Sequence, residues 1–272
     1  MIFNIACIQI SSQNNMAKNI SKICSLSKEK ICDDVDIITL PENALFMSGS
    51  AEELFANSYY MEEHPAIAEI SQLAIDINKW ILLGSVSIKT INTSKLANRS
   101  ILIDNKGHIF KYYDKIHLYS ANVAGGESHN ESHRFKAGEK IAIASTKFGN
   151  IGMTICYDLR FPDLYRKIAK NKTHIITVPA AFTQYTGQAH WHTLLRARAI
   201  ENACFIVAPA QTGNHPGNRM TYGHSIIIDP WGKILAEAGT DETIIKANID
   251  TAISKEIRQQ LPSLEHDVGY DF

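Results

Sequence analysis

Three side chains with complementary chemistry stand just beyond strand-like runs: Glu42 after DIITLP, Lys115 after HIFKYYD and Cys156 after IGMTI. A thiol is mostly protonated at neutral pH, and its thiolate is the nucleophile. An ammonium beside it lowers the thiol's pKa, and a carboxylate within reach can take the proton as general base. The same ammonium, with the backbone N–H that follows Cys156, can hold the oxyanion of a tetrahedral intermediate. Losing one such donor typically costs roughly 3–4 kcal/mol of barrier. The turn between this strand and the helix that Pro162 starts offers N–H groups without intrahelical partners.

Each of the three also has an ordinary reading. A lone cysteine after an apolar strand is usually a small buried hydrophobe. A glutamate after Pro41 or a lysine at a strand end is usually solvated. Residue types alone leave both readings standing, so the elements that carry them matter.

Those elements alternate from end to end. Residues 2–10 read as a strand, and 15–31 as a helix with Met16, Ile20, Ile23, Cys24 and Leu26 on its apolar side. DIITL (36–40) is a short continuous apolar run, typical of a strand covered on both faces. A long helical region ending near Asn78 follows. WILLGSVSI, SILIDNKGHIFKYYD and IAIASTKFGNIGMTI read as strands, with turns at Asn105-Lys106-Gly107 and Phe148-Gly149-Asn150. Phe161, Leu164, Tyr165, Ile168 and Ala169 share a helix face, with Pro162 at the first helical position and Asp163 in the first turn. Strand 174–181, helix 189–203, strands in CFIVAPAQ and SIIIDPWGKILAEAG, and a helix near 252–260 complete the pattern. Strands interleaved with helices imply an α/β fold of helix-covered sheets. In such sheets ligand sites gather at the carboxyl ends of strands, which is how three distant residues can meet.

The bulk numbers fit one domain over residues 1–272. The chain is 45% hydrophobic, enough for a large core, and its net charge is -1 with no block of like charge. That argues against nucleic acid or an anionic membrane as the main partner. MIFNIACIQI lacks a basic leader region, and no run approaches the roughly 18 apolar residues of a membrane span. Cys7, Cys24, Cys32, Cys156 and Cys204 are scattered without CxxC spacing, so a reducing cytoplasm is the simplest compartment.

LPENALF (40–46), YDKIHLY (113–119) and GNIGMTICYDLRFPDLYR (149–166) closely resemble, in the same order, the three signature regions of the nitrilase, or carbon–nitrogen hydrolase, superfamily. The resemblance implies a four-layer α-β-β-α sandwich and hydrolysis of a carbon–nitrogen amide bond. It implies Glu42 as general base, Lys115 as oxyanion-stabilising cation and Cys156 as nucleophile of a thioester intermediate. Glu131, in NESHRFKAG, resembles the superfamily's second glutamate, which orients lysine and substrate.

VPAAFTQYTGQAHWHTLLRARAIENACF (178–205) and YGHSIIIDPWGKILAEAG (222–239) extend the resemblance over almost the whole chain, toward the deaminated glutathione amidase branch. A small-molecule amide, cut to 2-oxoglutarate and Cys-Gly, is the implied substrate. Tyr157, Arg160, Phe182 and Thr183 would then shape the pocket, with Arg160 a bidentate partner for a substrate carboxylate. Arg160 has an equal reading as a structural ion pair with Asp158 or Asp163. A homodimer or larger even homo-oligomer is the implied assembly. Four positions depart from the branch: His192 stands for Glu, Asp163 for Glu, and Ser120 and Asn122 for acidic residues. These put the substrate in question, not the amidase chemistry.

The close alternatives are an omega-amidase acting on 2-oxoglutaramate and an N-carbamoyl amino acid amidohydrolase. A true nitrilase, or a non-catalytic binding or scaffold protein on the same fold, stand further off. No cofactor is expected. Gly125-Gly126 and Gly213 lack any nucleotide-binding pattern, and His190 and His192, two apart on a helix, point different ways and suit no metal. Arg196, Arg198 and Glu201 read as a salt-bridged face or subunit contact, and Cys204 as core.

Overall fold

The computed structural model describes residues 1–31, 34–91, 93–122 and 128–269. Cys32, Gly125 and Gly126 lie outside them, as does the side chain of His129.

Strands β1 (Ile2–Gln9), β2 (Ile37–Thr39), β3 (Trp80–Lys89), β4 (Leu96–Ile103) and β5 (Ile109–Asp114) lie side by side in chain order. Ala142–Thr146, Gly149–Met153, Ile175–Thr177, Phe205–Ala208, Ile226–Ile228 and Ile234–Glu237 form a second six-stranded sheet. Thr243–Asp250 returns to pair antiparallel with β1 and closes the outer edge of the first sheet. Within each sheet the strands that lead to the site are parallel: β1, β2 and β3 in the first, and Gly149–Met153, Ile175–Thr177 and Phe205–Ala208 in the second.

Alternation along the strands divides the core. Ile5, Cys7, Ile37, Leu82 and Leu102 face the second sheet's Ala144, Ile151 and Met153. Ala6, Ile8, Ile38, Ile81 and Leu83 turn the other way, against Ile20 and Ile23 of helix α1 (Met16–Glu29) and against Ile67, Ile70 and Leu73. Those last three belong to the helix Pro65–Asp76. On the far flank the helices Pro162–Lys170 and Gln184–Asn202 bury Leu164, Tyr165, Ile168, Trp191 and Leu195 against the second sheet. The result is the expected helix–sheet–sheet–helix sandwich. Among the described residues no helix is long and apolar enough to cross a membrane.

Several boundaries differ from the sequence reading. The long helical region before Asn78 is three pieces, Ala51–Ala56, Met61–Glu63 and Pro65–Asp76. Pro65 has no N–H to continue a helix and instead opens one. The Trp191 helix begins at Gln184, five residues earlier than read, because the polar QYTGQ segment shows little periodicity. Thr243–Asp250 and the hairpin of Thr212–His215 with Arg219–Tyr222 were not expected, being polar and lacking clean alternation.

Candidate active site

Glu42, Lys115 and Cys156 converge where the two sheets end side by side. Glu42 is carried by the loop that leaves β2, and β3 packs hard beneath it. A Cβ on Gly84 would collide with the carbonyls of Leu40 and Pro41, so only glycine lets this loop lie so close. Asn43, next in the chain, takes φ 57° and donates its N–H to Ser85 Oγ at 3.0 Å. From below, Gln211 Nε2 donates to the Glu42 carbonyl at 3.1 Å and to Ser12 Oγ at 2.8 Å.

Lys115 follows β5 directly. Its own N–H donates to Asn98 O at 3.0 Å, and the preceding Asp114 is clamped by Arg99 in two bonds of 2.6 and 2.8 Å. Cys156 opens a short 3-10 helix, Cys156–Arg160, after the strand Gly149–Met153. Its φ is 47°, a left-handed conformation that costs a non-glycine residue energy and collects at functional sites. The Cys156 N–H donates to Pro179 O at 2.9 Å, which fixes the turn.

One buried carboxylate joins the cysteine turn to the lysine strand. Asp158 accepts from Ile155 N–H at 2.9 Å and Tyr113 Oη at 2.8 Å on one oxygen. On the other it accepts from His117 N–H at 3.0 Å, with His117 Nδ1 at 2.8 Å. Arg198 supports the same turn from behind, donating Nε and Nη2 to Leu159 O at 3.0 and 2.8 Å. Arg198 is therefore a buried brace and not part of an exposed face, although it does pair with Glu201 at 2.9 Å.

Within the site the lysine is held by two acids. Lys115 Nζ donates to Glu42 Oε1 at 2.9 Å and to Glu131 Oε1 and Oε2 at 3.1 and 2.9 Å. Glu131 is fixed in turn by the Tyr119 N–H at 2.8 Å. Glu42 also accepts from Asn98 Nδ2 and from the Ala181 N–H, each at 2.9 Å. The Cys156 thiol lies within hydrogen-bonding reach of Glu42. Glu42 and Lys115 are each 1% exposed and Cys156 8%.

The electrostatics follow from this packing. Burial pushes the Glu42 carboxyl up, but the Lys115 ammonium, then Arg219, outweigh it and hold the group below its ordinary value. Burial likewise opposes the Lys115 charge, and Glu131 and Glu42 overcome it and raise its pKa. The thiol behaves differently from the sequence expectation. Burial first, then the Glu42 charge, raise Cys156 well above its ordinary value, against a weaker lowering by Lys115. The ammonium's charge is already balanced by two carboxylates, so it cannot hold a free thiolate. The resting pair is a neutral thiol beside an ionised glutamate.

Tyr157, Arg160, Phe182 and Thr183 all line the chamber above Cys156, with Tyr119, Thr186 and Arg219. Arg160 pairs with neither Asp158 nor Asp163. Its two Nη atoms lie 3.3 Å from His190 Nδ1, and its guanidinium stands 5.3 Å over the Phe182 ring. His192 points elsewhere and pairs with Glu237 at 2.7 Å. Asn98, Tyr119, Asp158 and Arg219 were not singled out from sequence as site residues. Asn98 had a signal, a polar residue interrupting an apolar strand, whereas Arg219 had none.

Two β-sheets stacked between helices, with a cysteine, a lysine and a carboxylate meeting at their strand ends, define a hydrolase of the nitrilase type. The chain belongs to the carbon-nitrogen hydrolase family, whose sequence pattern matches residues 4–259. A Synechocystis sp. protein named deaminated glutathione amidase is 39% identical over 271 residues, covering 97% of each chain. A protein of the same name from Yersinia enterocolitica is 37% identical, covering 97% of this chain and 92% of that one. The crystal structure of the C. elegans NitFhit protein superposes with a TM-score of 0.88 at 33% identity, over 98% of this chain and 65% of that longer one. Membership in the family makes the chain an amide-hydrolysing enzyme.

Proposed function

We propose that the enzyme hydrolyses deaminated glutathione, releasing 2-oxoglutarate and Cys-Gly, with Cys156 as nucleophile, Glu42 as general base and Lys115 as oxyanion-binding cation. Glu42 takes the thiol proton as sulfur adds to the amide carbon. The oxyanion then faces Lys115 Nζ and the Tyr157 N–H, which lies in the first turn of its helix, where backbone donors lack intrahelical acceptors. Glu42 returns the proton to the departing nitrogen, the C–N bond breaks, and a thioester remains on Cys156. Water, deprotonated by Glu42, attacks the thioester and restores the thiol. Glu131 keeps Lys115 aimed throughout. Tyr157, Phe182 and Thr183 shape the pocket, and Arg160, which among the described residues pairs with a histidine nitrogen and no carboxylate, takes a substrate carboxylate.

The observation that carries this reading is the buried, three-cornered contact of a thiol, a carboxylate and a doubly clamped ammonium in a single chamber. The relatives' names support the substrate. The test is release of Cys-Gly from deaminated glutathione, followed by mass spectrometry, in wild type and Cys156→Ala. Turnover that survives in Cys156→Ala above a tenth of wild type removes the nucleophile. Wild-type inactivity on this substrate removes the substrate.

We also take residues 1–272 as a single carbon–nitrogen hydrolase domain, working in the cytoplasm as a homodimer or larger even homo-oligomer. Sedimentation showing monomer alone would remove the assembly.

A further inference from the structure

Two clefts adjoin the chamber above Cys156, and they differ. On one side lies a wide cleft of about 700 Å³, where Arg160 and His190 stand with Tyr157, Tyr185 and Gln188. On the other lies a tighter cleft of about 140 Å³ that shares Tyr119, Glu131 and Arg219 with the chamber and reaches back to Arg134 and Ser48. The tight cleft is cationic. Its acid, Glu131, is spent on Lys115 and the Tyr119 N–H. Arg219 donates Nη2 to Ala181 O at 2.8 Å, and among the described residues its Nη1 has the Met47 sulfur at 3.7 Å. Arg219 Nε is buried with no acceptor among the described residues. Arg134 has no carboxylate partner among the described residues. Lys115, Arg134 and Arg219 against Glu42 and Glu131 leave one net positive charge across the chamber and this cleft, and guanidinium forks match carboxylate oxygens, so the two arginines form a site for one carboxylate.

We infer that this tight cleft is the acyl subsite, in which Arg134 and Arg219 hold the carboxylate of the 2-oxo acid, while Arg160 on the wide side faces the carboxylate of the departing Cys-Gly. The assignment rests on the substrate proposed above, which carries a carboxylate at each end. Size and sequence of events give the direction. The acyl group stays bonded to sulfur while the amine departs, so the amine belongs in the roomier cleft. Cys-Gly, with a thiol side chain and a second peptide bond, is also the bulkier half. Arg134 and Arg219 are thus specificity-determining for the acid, and Arg160 for the amine.

Two substrates with the same acyl group separate the roles: deaminated glutathione, which leaves Cys-Gly, and 2-oxoglutaramate, which leaves ammonia. Arg134→Gln should lower kcat/KM on both by a similar factor, roughly tenfold or more for a lost charge-assisted bond. Arg134→Lys should restore part of it, and an unchanged melting temperature excludes a folding cause. Arg160→Gln should lower kcat/KM on deaminated glutathione by roughly tenfold and leave 2-oxoglutaramate within about threefold. An Arg134→Gln effect confined to deaminated glutathione, or absent from both, overturns the assignment. So does an Arg160→Gln effect equal on both. If the wild type cleaves neither substrate, the proposed substrate itself fails, an outcome distinct from wild-type activity that Arg134→Gln does not alter.

Discussion

Asp158→Asn is the sharpest test of how the site is held together. The Asp158 carboxylate is fully buried and accepts from four groups, two per oxygen: Ile155 N–H and Tyr113 Oη, and His117 N–H and Nδ1. An asparagine can serve one pair with its oxygen but turns an NH₂ toward the other. Whichever way it faces, one backbone N–H, of Ile155 or His117, loses its acceptor inside the core. An orphaned buried donor costs about 1–3 kcal/mol, and the charge-assisted character of the retained bonds is also lost. A total of roughly 2–4 kcal/mol follows, which for a chain of this size lowers Tm by roughly 5–15 °C. Tyr113 and His117 flank Lys115, and Ile155 precedes Cys156, so the same change loosens the lysine against the thiol. Displacement on the scale of 1 Å can cost about a hundredfold in rate. Calorimetry at pH 7.5 gives the first quantity, and kcat measured at 20 °C, below both melts, the second. Asp163→Asn, at an exposed first-turn position, is the control and should cost less than about 1 kcal/mol. A Tm within about 2 °C of wild type, or an undiminished kcat, would refute the claim that Asp158 ties the two elements.

Glu42→Gln should lower kcat by roughly 10²–10⁴ with little change in KM, checked by steady-state kinetics. Cys156→Gly should be more stable than Cys156→Ala by about 1 kcal/mol in urea melts, because φ at this position is 47°. Lys115→Ala removes the ammonium that Glu42 and Glu131 share and leaves two facing carboxylates, and should cost about 3–5 kcal/mol in the same assay. His64 is buried with neither ring nitrogen bonded among the described residues, and burial lowers its pKa from 6.5 to about 4. A depressed folded pKa contributes stability that is present above 6.5 and lost as pH falls toward 4. Urea midpoints should therefore decline over that window by up to about 3 kcal/mol, and His64→Leu should flatten the slope.

The legible part of this site was the part written in local sequence. Pro162 at a helix start, the turn at Asn105-Lys106-Gly107 and the apolar strand runs all express local preferences, and the structure keeps them. The motif residues Glu42, Lys115, Glu131 and Cys156 and the residues Tyr157, Arg160, Phe182 and Thr183 line one chamber. What could not be read depends on distant partners. Arg219 reaches the chamber only because an irregular hairpin packs its strand beside Ala181, 38 residues away in sequence. Arg198 looked like a surface helix charge, yet its stem runs inward to a carbonyl that folding places there. The protonation of Cys156 escapes the sequence for the same reason. The sequence supplies one lysine, and only the fold shows that two acids have already claimed it.

That charge balance has a mechanistic consequence. Lys115 and Arg219 are offset by Glu42 and Glu131 beside a buried sulfur, and a thiolate there would add a negative charge with neither cation left to balance it. The thiol is therefore quiet in the empty enzyme, which also protects it from oxidation, since reactivity follows thiolate character. Attack transfers the developing charge from sulfur to the carbonyl oxygen, where Lys115 can meet it, while the proton moves to Glu42. Deprotonation becomes favourable only when an acceptor carbon is present, so the nucleophile is made by the substrate's arrival. On this argument iodoacetamide should alkylate the free enzyme slowly at pH 7, without the fast phase of a stable thiolate, and Glu131→Gln should speed it by removing one negative charge. Rapid wild-type alkylation with a titration midpoint well below 8 would show that a thiolate is already present at rest.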